Sequence, residues 1–201
     1  MRIAALSLAF LAAAGLLLAL WGGGVYNSLV QLDQSVQAQW GQVENVYQRR
    51  ADLVPNLVET VRGAASFERE TFSQVAQARS QVAQLSPQVV ENAARDPAAF
   101  QRFQQAQDGL SSALTRLLVV TERYPDLKAT ENFRTLQAQL EGTENRIAVE
   151  RMRFNEAAQA FNTRRNSFPA IVVAGFFAGR FAEKPYFKSQ PGAEKAPAVR
   201  F

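Results

Sequence analysis

The chain has no histidine and no cysteine among its 201 residues. Those two absences together remove the commonest metal ligands, the usual general base near neutral pH and the thiolate nucleophile. A di-metal site in a helical bundle draws on Glu-x-x-His pairs, and these cannot exist here. Carboxylate-only sites remain possible, but Glu141, Glu144, Glu150, Glu156 and Asp52 fall into no motif that announces a pocket. There is no phosphate-binding loop and no dinucleotide fingerprint. The expectation is a protein that is not an enzyme, with no catalytic residue, no cofactor and no metal. The missing cysteines are compatible with an oxidising compartment without requiring one.

Charge is absent from another place. Ile3 to Trp21 carries no charged residue, and as a helix this run would reach roughly 28 Å, close to the hydrocarbon thickness of a bilayer. A cleavable signal peptide is the competing reading, but its apolar region is usually shorter, and Leu20 and Trp21 break the small-residue pattern of a cleavage site. A retained signal anchor is expected. Arg2 precedes the run, and no Lys or Arg follows it from Gly22 to Gln48. Basic residues resist translocation, so the N-terminus is expected in the cytoplasm and the body outside the cytoplasmic membrane, in the periplasm of a bacterium. The net charge of +4 is interspersed rather than blocked, which argues against nucleic acid as a partner.

From Gln31 to Gln107 the body is rich in Gln and Ala and sparse in β-branched residues, which leaves helix as the default state. Val25, Leu29, Leu32, Val36, Trp40, Val43 and Tyr47 recur at steps of three and four, one stripe of a helix. Gly22-Gly23-Gly24 weakens helix locally and predicts a joint between anchor and body, with a continuous helix as the alternative. Pro55 predicts a stop near Ala51 and a new helix capped by Asp52, or else a kink. A second stripe runs from Leu57 to Val82 and includes Ala65. Ser86-Pro87 and Asp96-Pro97 each pair a capping side chain with a proline tolerated at the first helical position, and so open new helical segments. Phe100, Phe103, Leu110, Leu114, Leu117 and Leu118 give the third helix its apolar face, and Tyr124-Pro125-Asp126 predicts a turn. The fourth and longest stripe extends from Leu127 to Phe168. The fold class expected is all-α: a single N-terminal transmembrane helix followed by an antiparallel, up-and-down four-helix bundle of long helices with coiled-coil-like stripes. Its parts would be residues 1–24 as anchor and glycine joint, 25–168 as bundle, 169–188 as an apolar aromatic segment and 189–201 as a disordered tail.

Several blocks together resemble the LemA family. They are YNSLV at Tyr26 to Val30, WGQVENVYQRRADLVPNLVETV at Trp40 to Val61, FERE at Phe67 to Glu70 with Ala78-Arg79 following, and YPDLKATENFRTLQAQLEGTENRIAVERMRFN at Tyr124 to Asn155. The pairs Phe161-Asn162 and Phe168-Pro169 complete the pattern. Phe67 stands where family members often carry histidine. The resemblance implies a short N-terminal arm, one membrane helix and a four-helix body, together with an association with membrane organisation and membrane proteases. It implies no biochemical activity.

Two groups of residues are the candidate sites. Arg49, Arg50 and Asp52 offer charges complementary to Glu141, Glu144, Asn145 and Arg146, which interrupt the fourth stripe around Gly142. They would form either a buried salt-bridge network that fixes helix register or an interaction surface, and Gly142 itself suggests close packing of a neighbouring backbone. Phe176, Phe177, Phe181, Tyr186 and Phe187 lie beyond the bundle stripe. They are expected to touch the lipid surface or a neighbouring subunit, with Arg180, Lys184 and Lys188 near headgroups; folding back over the bundle end is the alternative. The functional expectation is a membrane-tethered scaffold that forms a homo-oligomer, with the lipid bilayer as partner and membrane organisation or remodelling as its role. The alternative is an adaptor that recruits a membrane protease or another envelope protein.

Overall fold

The structure is a computed structural model, and it describes residues 2–64 and 68–188. Ala65, Phe67 and the expected tail of 189–201 lie outside the described residues. Among the described residues helix is the only regular secondary structure, and there is no strand. It forms seven helices: α1 (Arg2–Ala64), α2 (Arg69–Ala83), α3 (Pro87–Asn92), α4 (Pro97–Thr121), α5 (Pro125–Ala129), α6 (Glu131–Asn166) and α7 (Ala170–Phe176). One of them, α1, is long and apolar enough to cross a membrane. Leu6, Leu8, Phe10, Leu11, Leu16, Leu17, Leu18 and Leu20 all stand exposed on it.

The expected break at the glycines is absent, since α1 runs without interruption through Gly22, Gly23 and Gly24. Three glycines disfavour helix by about 1 kcal/mol each. At the edge of an apolar phase, however, the backbone has no better hydrogen-bonding partner than its own helix. The expected stop at Ala51 is also absent, and Pro55 lies inside α1. A mid-helix proline costs about 3 kcal/mol. On either side of it Val54, Leu57 and Val61 are buried to 2 % exposure or less, and full burial of such side chains stabilises by about 1.5–3 kcal/mol each. Packing wins over local preference. The buried positions of α1 form one seam, Val25, Leu29, Asp33, Val36, Trp40, Val43, Tyr47, Arg50, Val54, Leu57 and Val61. This seam lies chiefly against α6, while α2 lies chiefly against α4.

Helix starts follow the capping chemistry. Ser86 Oγ accepts from the Val89 amide at 3.3 Å to open α3, and the Asp96 carboxylate accepts from the Ala98 amide at 2.9 Å to open α4. The fourth stripe does not begin at Leu127 as one helix. Thr130 adopts extended backbone with ψ 140°, and its hydroxyl accepts from the Phe133 amide at 3.4 Å. That cap ends α5 and opens α6. Gly142 is exposed on α6, and a Cβ there would meet nothing within 4 Å. The expected close packing at this glycine is therefore absent.

The core comes in two clusters. One gathers Trp40, Tyr47, Phe100, Phe103, Phe154 and Phe161 with Val25 and Leu29 towards the apolar end of α1. The other gathers Val54, Leu57, Phe72, Leu110, Leu117, Phe133 and Leu140 at the far end.

Candidate functional site

Between the two clusters lies a polar layer built on Arg50, which is fully buried. Its position follows from the α1 seam. Arg50 falls in phase with Tyr47 and Val54, whereas Arg49 points out and is exposed. Arg50 Nη1 donates to Glu144 Oε1 at 2.9 Å and to Ser111 Oγ at 2.5 Å. Arg50 Nη2 donates to the Gln107 side-chain oxygen at 2.6 Å and to the Gln107 carbonyl at 3.0 Å. The guanidinium sits 4.9 Å from the Tyr47 ring centroid, while Arg50 Nε has no hydrogen-bond partner among the described residues. Glu144 reaches the layer from the edge, with its side chain 41 % exposed. The layer ties α1, α4 and α6 together at one height, as a register device does.

Next to it, Arg151 Nε donates to the Tyr47 hydroxyl at 2.6 Å, and Arg151 Nη2 pairs with Asp108 at 3.3 Å. Burial pushes the Tyr47 phenol above its ordinary pKa, and Arg151 and Arg50 pull it back part of the way. On the other side of Tyr47, α1 to α4 border a cleft of about 900 Å³ that includes Glu44 and Glu91. Burial pushes the Glu44 carboxyl up, the Trp40 indole lowers it, and Glu91 raises it further.

Of the sequence-derived cluster, the structure brings together only Arg50 and Glu144. Asp52 is exposed and accepts from Gln48 at 2.8 Å. Glu141 is exposed and accepts from Gln137 at 2.9 Å. Asn145 and Arg146 are exposed too. These residues, with Arg49, sit on outward phases of their helices, which no inter-helix network can reach. Gln107, Ser111 and Arg151 were missed, and Tyr47 was read only as a member of the apolar stripe of α1.

The C-terminal aromatics divide. Phe181 and Phe187 are buried in the core rather than turned to lipid or a subunit, and Lys184, expected near headgroups, is 3 % exposed. The reason is an extended strap over residues 182–188, clasped by two asparagines of α6. Asn162 donates to the Lys184 carbonyl at 2.9 Å and accepts from its amide at 2.8 Å. Asn155 does the same to Phe187, at 2.9 Å both ways. Lys184 Nζ donates to buried Asp33 at 2.5 Å, with Arg95 at 3.6 Å on the other carboxylate oxygen. The sequence signal was the Phe-Asn pair repeated seven residues apart at 154–155 and 161–162: each Phe faces the core and each Asn reaches the strap.

Phe176, Phe177 and Tyr186 remain exposed, Phe176 to 84 %. Phe177 and Phe181 stack edge-on against Tyr26, at 5.0 and 5.4 Å. Among the described residues no three Asp or Glu side chains gather as a metal site.

The sequence pattern of the LemA family matches residues 39–201. The chain is 27 % identical to Magnetosome protein MamQ 1 of Paramagnetospirillum magneticum, covering 84 % of this chain and 66 % of that protein. The same figures hold for Magnetosome protein MamQ of Magnetospirillum gryphiswaldense. Protein LemA of Metamycoplasma hominis is 23 % identical, over 75 % of this chain and 64 % of that protein. The chain therefore spans just under two thirds of the length of these relatives.

Proposed function

This chain belongs to the LemA family, and from that premise we propose that it is a membrane-anchored structural protein that self-associates on the outer face of the cytoplasmic membrane and organises or remodels that membrane. The chain is helical, and its apolar α1 and its magnetosome relatives support association with a membrane. The single pass, the cytoplasmic N-terminus, the antiparallel packing of the four long helices α1, α2, α4 and α6, and the self-association belong to the proposal. One observation carries it. The helix that bears the apolar run is the same helix that forms a wall of the core, so a force on the body is transmitted to the bilayer without a flexible link. Self-association has a second support. Over the stretch of α1 from residue 25 to residue 48, next to the bilayer, the exposed side chains, among them Asn27, Gln31, Gln34, Ser35, Gln42, Asn45 and Gln48, are uncharged, and Asp33 is buried and paired. Copies standing side by side would meet little like-charge repulsion there.

The magnetosome proteins similar to this chain are consistent with a role at a membrane. The adaptor reading has no observation of its own in the structure. Light scattering of the full-length protein extracted in mild detergent tests the proposal. A homogeneous particle of many chains is expected; a monomer would overturn self-association, and a monomer that co-purifies with a membrane protease would favour the adaptor.

A further inference from the structure

We propose that the membrane end of the body is a lipid-binding face, in which α7 and Phe168 lie in the headgroup layer of the bilayer that α1 crosses. In this face the cleft over Gly22 and Gly23 takes an acyl chain of an anionic phospholipid whose phosphate meets Arg180. The inference rests on α1 as the anchor and adds a second membrane contact with a ligand.

The first ground is position. The apolar run of α1 ends at Trp21, and an open cleft of about 750 Å³ begins at the next residue, lined by Gly22, Gly23, Tyr26, Val173, Phe176 and Phe177. Except for the Tyr26 hydroxyl its lining side chains carry no polar group. The leucines just before it on α1, Leu16 to Leu18 and Leu20, are 63–67 % exposed, as lipid contact requires. A cleft continuous with a lipid-covered surface is filled by lipid.

The second ground is α7 itself. Ala170 and Ala174 face the core, and the outward positions are apolar as well: Phe168 83 %, Ile171 47 %, Val172 50 % and Phe176 84 % exposed. No charged residue occurs from Asn166 to Gly179. A short helix that is apolar on both faces has no side suited to water, and next to a membrane span the interface is the phase it matches. Arg180 follows at once, exposed, with its guanidinium 5.5 Å from the Tyr26 ring centroid. An amphipathic aromatic with an arginine above it suits headgroup depth and a phosphate.

The third ground is the glycines. The helix runs on without a break there, and among the described residues a Cβ at Gly22 or Gly23 would meet nothing within 4 Å. Folding does not require glycine at these positions. What the missing side chains do is keep open the space beside Phe176 and Phe177.

The chain has no native cysteine, so single spin labels report cleanly. Full-length Phe176→Cys and, as a reference at the far end of α4, Val119→Cys are labelled with nitroxide, diluted with unlabelled protein and placed in phosphatidylcholine–phosphatidylglycerol vesicles. Oxygen is expected to relax the label at 176 several-fold more than a water-soluble nickel chelate does, with the reverse at 119. Equal nickel access at 176 and 119 would overturn the proposal. A label at 176 shielded from both reagents would overturn it as well, by showing that a second copy covers the face. Because the labelled chains are diluted, a failure of self-association leaves this readout unchanged. Native mass spectrometry then reads the cleft. Wild type is expected to retain phosphatidylglycerol, Gly23→Leu to lose it, and Arg180→Gln to lose the preference over phosphatidylcholine, with added inorganic phosphate displacing nothing. Equal lipid retention by wild type and Gly23→Leu would overturn the cleft assignment, and displacement by phosphate would reassign the site to the free anion.

Discussion

Replacing Arg50 by methionine is expected to lower the stability of the body by about 3 kcal/mol, the low end of the cost of removing one partner from a buried pair. Methionine fills much of the space of the arginine stem, so the loss is polar rather than a large cavity. Gln107 would lose both of its bonds to the guanidinium and Ser111 one, and buried groups left unpaired are costly. Glu144 limits the damage, because a side chain already 41 % exposed can return to water. For the same reason Glu144→Gln is expected to cost no more than about 1 kcal/mol. At about 2–4 °C per kcal/mol for a chain of this size, Arg50→Met lowers the melting temperature by about 6–12 °C. Thermal unfolding followed by circular dichroism checks both variants. Equal losses for the two would mean that the ion pair, and not the buried amide contacts, carries the layer.

Lys184→Met is expected to act on the strap with similar force. It would leave Asp33, 5 % exposed at its side chain, with only Arg95 at 3.6 Å, and an uncompensated buried carboxylate costs about 3–5 kcal/mol. Part of that loss should return in the double variant Asp33→Leu with Lys184→Met, since the charge is then gone from both sides. The strap should also become accessible. Phe187 packs at 4.7 Å from Phe100 and 5.5 Å from Phe154, and its release would let a protease cut within 182–188. Urea unfolding and limited proteolysis of the two variants and wild type read this. Unchanged stability in Lys184→Met would show that the strap is laid on the core without holding it.

Much of this arrangement was legible in the sequence, and the illegible part has a common cause. The α1 seam, the caps at Ser86 and Asp96 and the all-helical class depend on neighbours within a few residues, so periodicity and capping chemistry showed them. Even Arg50 could be singled out from Arg49 by phase, because it falls between Tyr47 and Val54 on a seam otherwise apolar apart from Asp33. What local chemistry could not show was Lys184, which meets Asp33 across 151 residues of chain. Nor could it show that burial of Val54, Leu57 and Val61 would carry α1 through Pro55. The glycine triplet misled for a related reason. Its intrinsic preference favours a joint, but preference is only one term, and the phase around the backbone and the packing of Val25 and Leu29 just beyond it decide the outcome.

The claim on which the proposed role depends is that anchor and body share one rigid helix. Nitroxides at Leu17→Cys and Gln42→Cys, both exposed positions of α1, measure it by pulsed electron double resonance in vesicles, with labelled chains diluted among unlabelled ones. An unbroken helix places the two backbone sites about 38 Å apart, so a single narrow distribution near that distance is expected. A broad distribution reaching well below it would contradict the account and restore the glycines as a joint.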